Sequence, residues 1–165
     1  MKFLTLEDGQ LGALVDTTVV ELPAAASALN IDLPATTLTA LVEAGDEGAA
    51  AAWALATDAA AQQCACRPYA DVSPLAPFPV PRRNILCLGK NYLDHAREVA
   101  AKMKTSDRAP EKPIIFTKAT TAVIAPGEPV PSYPGLTRKL DYEAELALII
   151  GRGGRDIPAD EAWQH

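Results

Sequence analysis

The 165-residue sequence has few aromatic side chains and no long apolar run. Only 5% of its residues are Phe, Trp or Tyr, although 48% are hydrophobic. No stretch approaches the roughly 18 to 20 apolar residues that a membrane-spanning helix requires. The opening MKFLTLEDGQ is too short and too acidic for the apolar core of a signal peptide. We therefore expect a cytoplasmic protein without a membrane partner.

An excess of positive charge is also missing. The chain has 15 basic and 21 acidic residues, which gives a net charge of −6. No run of Lys and Arg is interleaved with aromatic residues, the pattern typical of nucleic-acid binding. These features disfavour a nucleic-acid partner and leave a small molecule as the expected ligand.

Cysteine is scarce and odd in number. Cys64, Cys66 and Cys87 are the three present, which fits a reducing compartment better than a disulfide framework. The Cys64-Ala65-Cys66 triplet resembles half of a zinc site, but no second pair follows it. We expect ordinary loop or core cysteines.

Proline, by contrast, is abundant, with fourteen residues. Five of them lie between Pro68 and Pro81, where they exclude a regular element and predict a linker or a strap over a domain. The expected organisation is a small N-terminal α+β domain at residues 1–75, a proline-rich linker at 76–81 and a second domain at 82–165. The predicted fold class is α+β.

Hydrophobic periodicity predicts the elements of both domains. In the first domain we expect strands at 2–7 and 13–22, followed by helices at 36–44 and 46–63 that Gly45 separates. In the second domain the predicted elements are a strand at 84–89, a helix from Asn91, a strand at 113–118, a strand at 140–150 and a helix from Asp156.

The first candidate for chemistry is the pair His95 and Glu98. The two residues are three positions apart in the predicted helix and so share one face. A carboxylate beside an imidazole raises its basicity, which suits a general base. A solvent-exposed surface pair is the alternative.

The second candidate is the acidic part of LDYEAELALII at residues 140–150. Asp141, Glu143 and Glu145 alternate with apolar residues, so a strand would place all three carboxylates on one face, about 6.6 Å apart. Like charges at that spacing are costly unless a cation lies among them, and carboxylates bind Mg²⁺, Mn²⁺ or Ca²⁺. The alternative is a solvated edge strand, although LALII (146–150) is apolar on both faces and favours a position inside a sheet.

Three blocks of sequence follow the proline-rich segment. They read PRRNILCLGKNYLDHAREVA, PEKPIIFTKATTAVIAPGEPV and LTRKLDYEAELALIIGRGGRDIPADEAW. Their order and spacing resemble the fumarylacetoacetate hydrolase family over residues 82–165. Residues 1–75 resemble the small N-terminal domain of many bacterial members.

This resemblance implies a metal-dependent enzyme with a mixed β-roll that acts on 2-oxo or β-diketo acids. The family's E-x-E metal pair matches Glu143 and Glu145, its water-activating His and Glu match His95 and Glu98, and its pocket lysine matches Lys118. By itself, Lys118 could equally be a surface lysine. Asp141 has no fixed role in the pattern. The implied cofactor is Mg²⁺ or Mn²⁺, with Ca²⁺ as an alternative, and the implied assembly is a homodimer.

The expected reaction is hydrolysis of a C–C bond in an acylpyruvate or fumarylpyruvate. Decarboxylation, hydration and isomerisation of a 2-oxo acid on the same metal site remain alternatives, as does a fragment that only associates with other chains. The resemblance also implies a third metal-binding Asp and further strands after the segment that begins near Pro158. This sequence does not contain them, so we expect only the N-terminal part of the catalytic domain and little activity from the chain alone.

Overall fold

The computed structural model describes residues 1–103 and 111–165, without the side chains of five residues of one helix. Those side chains belong to His95, Glu98, Val99, Lys102 and Met103. The chain forms two compact units. The first unit comprises Met1–Phe78 together with Ile124–His165, and the second is Pro79–Val123.

A four-stranded antiparallel sheet organises the first unit. Its strands are β1 (Phe3–Thr5), β2 (Leu11–Val15), β3 (Thr18–Glu21) and β4 (Cys66–Pro68). They lie in the order β1-β2-β3-β4, and each pairs with the next. The turn between β2 and β3 contains Asp16 with a φ of 52°, a left-handed conformation that Asp tolerates better than most residues.

Two helices cover this sheet. They are α1 (Leu22–Leu29) and α2 (Leu38–Ala61). Helix α1 has a proline in its first turn and ends at Asn30 in the left-handed conformation. The Thr37 hydroxyl caps α2 by accepting a hydrogen bond from the Ala40 N–H at 3.2 Å. Gly45 splits α2, because its φ of 66° and ψ of −162° are not helical.

Small side chains let the helices approach the sheet closely. Leu11 and Val20 on the sheet and Leu22 at the start of α1 are completely buried. Opposite them, α2 contributes the buried alanines Ala52, Ala56 and Ala59 together with Leu41 and Leu55. An alanine-rich helix on an aliphatic sheet needs few aromatic residues, which accounts for the composition.

The proline-rich segment begins as a strap along the first sheet. The Leu75 N–H donates to the Thr5 carbonyl at 2.9 Å, and the Thr5 hydroxyl donates to the Pro77 carbonyl at 2.7 Å. Thr5 is itself buried, so these bonds satisfy polar groups that water does not reach.

Arg67 in β4 forms ion pairs with two glutamates of the first unit. Arg67 Nη2 lies 2.6 Å from Glu7 Oε2, and its Nε lies 2.9 Å from Glu21 Oε1. Glu7 also accepts a hydrogen bond from the Ser73 N–H at 2.7 Å. The hydrogen bonds from Arg67 and from Ser73 lower the pKa of Glu7 from 4.5 to about 2.

The second unit contains a two-stranded sheet and one helix. Its elements are β5 (Ile85–Gly89), α3 (Leu93–Met103) and β6 (Ile114–Lys118), followed by a 3₁₀ turn at Thr120–Ala122. Strands β5 and β6 are antiparallel, with Ile85 opposite Lys118 and Leu88 opposite Ile115. Much of this sheet's apolar surface faces solvent.

Most predicted elements are confirmed in position. The first strand, the strands at 84–89 and 113–118, the helix after Asn91 and the helix break at Gly45 all occur. The α+β class is confirmed as well. The closed, β-rich roll stays a prediction.

Three predictions are wrong. Residues 13–22 do not form one strand, because Asp16 and Thr17 turn the chain into the β2–β3 hairpin. Residues 139–150 form neither strand nor helix. A strand is defined by hydrogen bonds to a neighbouring strand, and in the described part of the chain no strand pairs with this segment. After Asp156 only the 3₁₀ turn Ala162–Gln164 forms, since a short isolated helix is marginal in water.

The sequence patterns did not predict α1 or β4. Among the helices of residues 1–103 and 111–165, none is long and apolar enough to cross a bilayer.

The core analysis predicts that Leu11→Ala lowers the free energy of unfolding by about 2–5 kcal/mol, since the side chain is fully buried and a cavity would remain. Urea unfolding measures the difference. Leu136→Ala is the matched control, because Leu136 is 87% exposed and should change stability by less than about 0.5 kcal/mol. Equal effects from both variants would contradict the assignment of the core.

The Arg67 cluster predicts an acid-dependent loss of stability. The folded pKa of Glu7 lies near 2, below its ordinary value of 4.5. Its stabilising contribution is therefore complete above about pH 4.5 and disappears as the pH falls through about 2. The stability difference between wild type and Glu7→Gln should shrink over that window, while Glu161→Gln, an exposed control, shows no such trend. A difference that is constant with pH would contradict the ion pair.

Candidate functional site

Among the predicted site residues, Lys118 lies in a paired strand. It ends β6 and faces Ile85 across the β5–β6 ladder. Because side chains alternate along a strand, Lys118 shares a face with Ile114 and Phe116. Its side chain is exposed, so its ammonium group is accessible to an anionic ligand.

His95 and Glu98 lie in α3, as predicted. Their side chains lie outside the described part of the structure, so the predicted tautomer-holding contact between them stays a prediction. Near them in the helix, the Ala96 N–H donates to the Tyr92 carbonyl at 2.9 Å, and Asp94 pairs with Arg97 at 3.2 Å. Three positions apart on one helix, His95 and Glu98 share a face.

Glu143 and Glu145 lie in the irregular segment 139–150, and both are exposed. The neighbouring Asp141 uses Oδ1 to accept a hydrogen bond from the Tyr142 N–H at 2.9 Å, which occupies one of its oxygens locally. The predicted strand that would align the two glutamates is absent. The outer-shell role suggested for Asp141 stays a prediction.

The five candidates divide between the two units. His95, Glu98 and Lys118 belong to the second unit, whereas Glu143 and Glu145 belong to the first. Among the described side chains, no group of three or more His, Cys, Asp or Glu residues could hold a metal ion.

The chemistry of Glu143 and Glu145 fits a hard divalent cation, but their number does not complete its shell. Carboxylate oxygens are the preferred ligands of Mg²⁺ and Mn²⁺. Two carboxylates on an exposed segment leave most coordination positions to water or to a ligand that itself chelates. A metal site at this pair therefore stays a prediction.

Other reactive groups fit structural roles. Cys64 and Cys66 are half-buried against the core of the first unit, and the Cys66 thiol lies 3.1 Å from the Cys64 carbonyl. Burial raises the pKa of Cys66, which disfavours the thiolate that would bind metal. This agrees with ordinary core cysteines.

Sequence patterns did not reveal a cleft of about 650 Å³ beside the kink of α2. Phe3, Val42, Gly45 and Trp163 help line it, and none of the five predicted site residues does. The only local signal was Gly45, which marked the break in the helix.

The C-terminal half of the chain matches a known family. Residues 84–165 match the description "fumarylacetoacetate (FAA) hydrolase, C-terminal". The chain belongs to the fumarylacetoacetate hydrolase family. All five predicted site residues lie inside the matched range.

Relatives in bacteria and in humans extend this match. Oxaloacetate tautomerase YisK of Bacillus subtilis is 43% identical over 90 residues, which are 54% of this chain and 29% of YisK. Protein Rv2993c of Mycobacterium tuberculosis is 40% identical over 95 residues, or 58% of this chain and 32% of that protein. The human mitochondrial oxaloacetate tautomerase FAHD2B is 32% identical over 162 residues, which are 98% of this chain and 45% of the human protein.

The chain therefore spans less than half the length of these relatives. The match to FAHD2B runs through the N-terminal sheet as well as through the family segment.

The carboxylate pair predicts weak, specific Mn²⁺ binding. We expect Mn²⁺ to bind the purified chain with an affinity weaker than that of a site with three carboxylates, and the variant Glu143→Gln, Glu145→Gln to lose the binding. Electron paramagnetic resonance of free Mn²⁺ measures it. Glu161→Gln is the control, since this exposed carboxylate lies outside the pair. Retained binding in the double variant would contradict the assignment.

Proposed function

We propose that the chain carries part of the active site of a divalent-metal-dependent enzyme for 2-oxo acids, and that its reaction is keto–enol tautomerisation of oxaloacetate. The observation that carries this proposal is the position of both carboxylates, the lysine and the His–Glu pair within a segment shared with relatives named oxaloacetate tautomerases. Family membership supports the coarser statement that the enzyme processes a 2-oxo acid.

The reaction moves one proton and breaks no C–C bond. A base removes a proton from C3 of oxaloacetate, the C3–C2 bond gains double-bond character, and the C2 carbonyl oxygen becomes an enolate that is then protonated. A group that stabilises negative charge at this oxygen lowers the barrier. Glu143 and Glu145 would hold a Mg²⁺ or Mn²⁺ ion, which supplies positive charge for that oxygen.

The remaining candidates have roles in handling protons and binding anions. His95, whose basicity Glu98 would raise, is the candidate to take the C3 proton, a role typically worth about 10²- to 10⁴-fold in rate. Lys118 offers an exposed ammonium at the end of β6 for a substrate carboxylate. A charge-assisted hydrogen bond of this kind is stronger than a neutral one.

Hydrolysis of a C–C bond in an acylpyruvate is the second candidate, favoured by the family designation. In this reaction His95 would take a proton from water, and the resulting hydroxide would add to the distal carbonyl. The bond between that carbon and C3 would then break, leaving a carboxylic acid and the enolate of pyruvate, which takes up a proton at C3. Pyruvate release distinguishes it from tautomerisation, which releases nothing. Decarboxylation releases CO₂ as well as pyruvate.

Compartment and assembly stay predictions. The family resemblance favours a homodimer and the sequence favours the cytoplasm, while the human relative is named as mitochondrial.

The proposed ligand chemistry predicts that oxalate binds only together with metal. Oxalate has the same pair of adjacent oxygens as the enolate of a 2-oxo acid and can chelate an exposed ion. Calorimetry should detect oxalate binding in the presence of Mn²⁺ and none without it. Lys118→Met should weaken it roughly tenfold by removing one charge-assisted bond, and Lys104→Met is the control for a change in overall charge. Oxalate binding that is independent of Mn²⁺ would contradict the proposal.

The irregular conformation of residues 139–150 predicts that the isolated chain is nearly inactive. With millimolar Mn²⁺ we expect decay of the oxaloacetate enol, and pyruvate release from acylpyruvates, to stay close to the rate with metal alone. Glu143 and Glu145 lie on this exposed segment, whereas catalytic geometry requires ligands fixed to within about 0.5 Å. Ultraviolet absorbance of the enol and a coupled pyruvate assay measure the two reactions. Full turnover that Glu143→Ala abolishes would contradict this prediction.

A further inference from the structure

The turn between α2 and β4 places two cysteines close together. Cys64 and Cys66 are free thiols, and both are half-buried against the core of the first unit. Between them Ala65 has a φ of 50°, and Gln63 just before them has a φ of 53°. Residues other than glycine seldom adopt this left-handed conformation, and the two of them within residues 63–66 make the turn a strained one.

The left-handed conformation of Ala65 suits a bond between its two neighbours. A residue in this conformation places the Cα atoms before and after it about 5.5 Å apart, as in a helical turn. A disulfide requires a Cα–Cα distance of about 4.4–6.8 Å. The Cys66 Sγ lies 3.1 Å from the Cys64 carbonyl oxygen, so this sulfur points back toward Cys64.

Hydrogen bonds on both sides hold the turn in place. The Cys64 N–H donates to the Ala59 carbonyl at 2.8 Å, which ties the turn to the end of α2. The Glu21 N–H donates to the Ala65 carbonyl at 2.9 Å, and Cys66 begins β4, which pairs with β3. The fold therefore keeps the second thiol beside the first, which gives it a high effective concentration for reaction there.

The two thiols differ in how readily they react. Cys64 follows Gln62 and Gln63, which are exposed, so a small reagent can approach it from that side. Burial raises the pKa of Cys66, which lowers the fraction of the reactive thiolate. Cys64 is therefore the thiol expected to attack first, with Cys66 as the partner that completes the reaction.

We propose that Cys64 and Cys66 form a reversible dithiol–disulfide site for low-molecular-weight disulfides such as oxidised glutathione. The Cys64 thiolate attacks one sulfur of glutathione disulfide, whose S–S bond breaks and releases a glutathione thiolate that takes up the proton lost by Cys64. The Cys66 sulfur loses its proton and displaces the second glutathione from Cys64. Two protein thiols are oxidised to one disulfide, and one glutathione disulfide is reduced to two thiols.

This site is independent of the proposed function, because none of the five candidate site residues takes part. In a reducing compartment such disulfides are typically transient and sense the redox state. A closed ring of residues 64–66 on a strained turn fits that behaviour, since strained disulfides are reduced more easily than structural ones.

The first test treats the full chain with millimolar oxidised glutathione and measures its mass. It uses the variant Cys87→Ala, because Cys87 lies in β5 of the second unit and could bind glutathione by itself. We expect a product two hydrogens lighter than the reduced chain, which dithiothreitol restores. Adding Cys66→Ala should stop the reaction at one glutathione on Cys64, whereas adding Cys64→Ala instead should leave most of the chain unmodified.

Peptide mapping of the wild-type chain is the control for these substitutions. It should locate the bridge between Cys64 and Cys66 without any change to the sequence. If either alanine variant fails to fold, this map decides. A bridge to Cys87, a disulfide-linked pair of chains, a glutathione that stays on Cys64 while Cys66 is present, or no modification at all would overturn the proposal.

The second test asks whether the fold contributes to the bridge. The Cys87→Ala chain is equilibrated with mixtures of reduced and oxidised glutathione, once in native buffer and once in urea that unfolds it. The folded chain should be half oxidised at an about tenfold lower proportion of oxidised glutathione, because the turn keeps the thiols together. Equal midpoints would overturn the proposal, since the pair would then react no better than two cysteines in an unfolded chain.

Discussion

Pairing of backbone strands is the constraint on which the rest of this structure depends. Where four strands pair in sequence, two helices cover the sheet and a core of fully buried aliphatic residues forms. Where only β5 and β6 pair, most apolar side chains of the sheet remain in contact with water. Residues 139–150 join no ladder in the described part of the chain, and the segment is exposed throughout. Burial therefore follows the number of strands paired, since a strand can bury a face only when neighbours extend it.

Because of this constraint, some candidate residues lie in a helix or a paired strand and others lie in an irregular segment. Lys118 is fixed by a ladder of five residue pairs, and His95 and Glu98 lie on a helix. Glu143 and Glu145 lie on a segment without a regular element, so their carboxylates are not held in one geometry. A metal ion bound there would have to order the segment, and that conformational entropy subtracts from its affinity. The candidate residues are present in the sequence, whereas the geometry that a metal site requires depends on pairing.

Sequence patterns predicted the elements whose formation depends mainly on residues close together in the sequence. Alternation located β5 and β6, a capped start located α3, and Gly45 marked the break within α2. The strand at 140–150 failed because periodicity reports which face would be buried and not whether a partner exists. The β2–β3 hairpin was missed because its turn uses Asp16 in the left-handed conformation, without the Gly that usually marks such a turn. Strand β4 has three residues held by pairing to β3 and by Arg67, and no window of that length has a readable period. For the candidate site, the structure confirms the helix of His95 and Glu98 and the strand of Lys118, while the roles of all five residues stay predictions.

The negative charges of the three acids at residues 141–145 link metal binding to strand formation in this segment. Held on one face of a strand, their charges repel one another, and this cost opposes the strand conformation. Any cation that lies on that face, such as a divalent ion, relieves the cost. Two consequences follow by thermodynamic linkage. A metal that binds the aligned glutamates more tightly than the irregular segment must favour the strand, and whatever favours the strand must raise the metal affinity by the same factor.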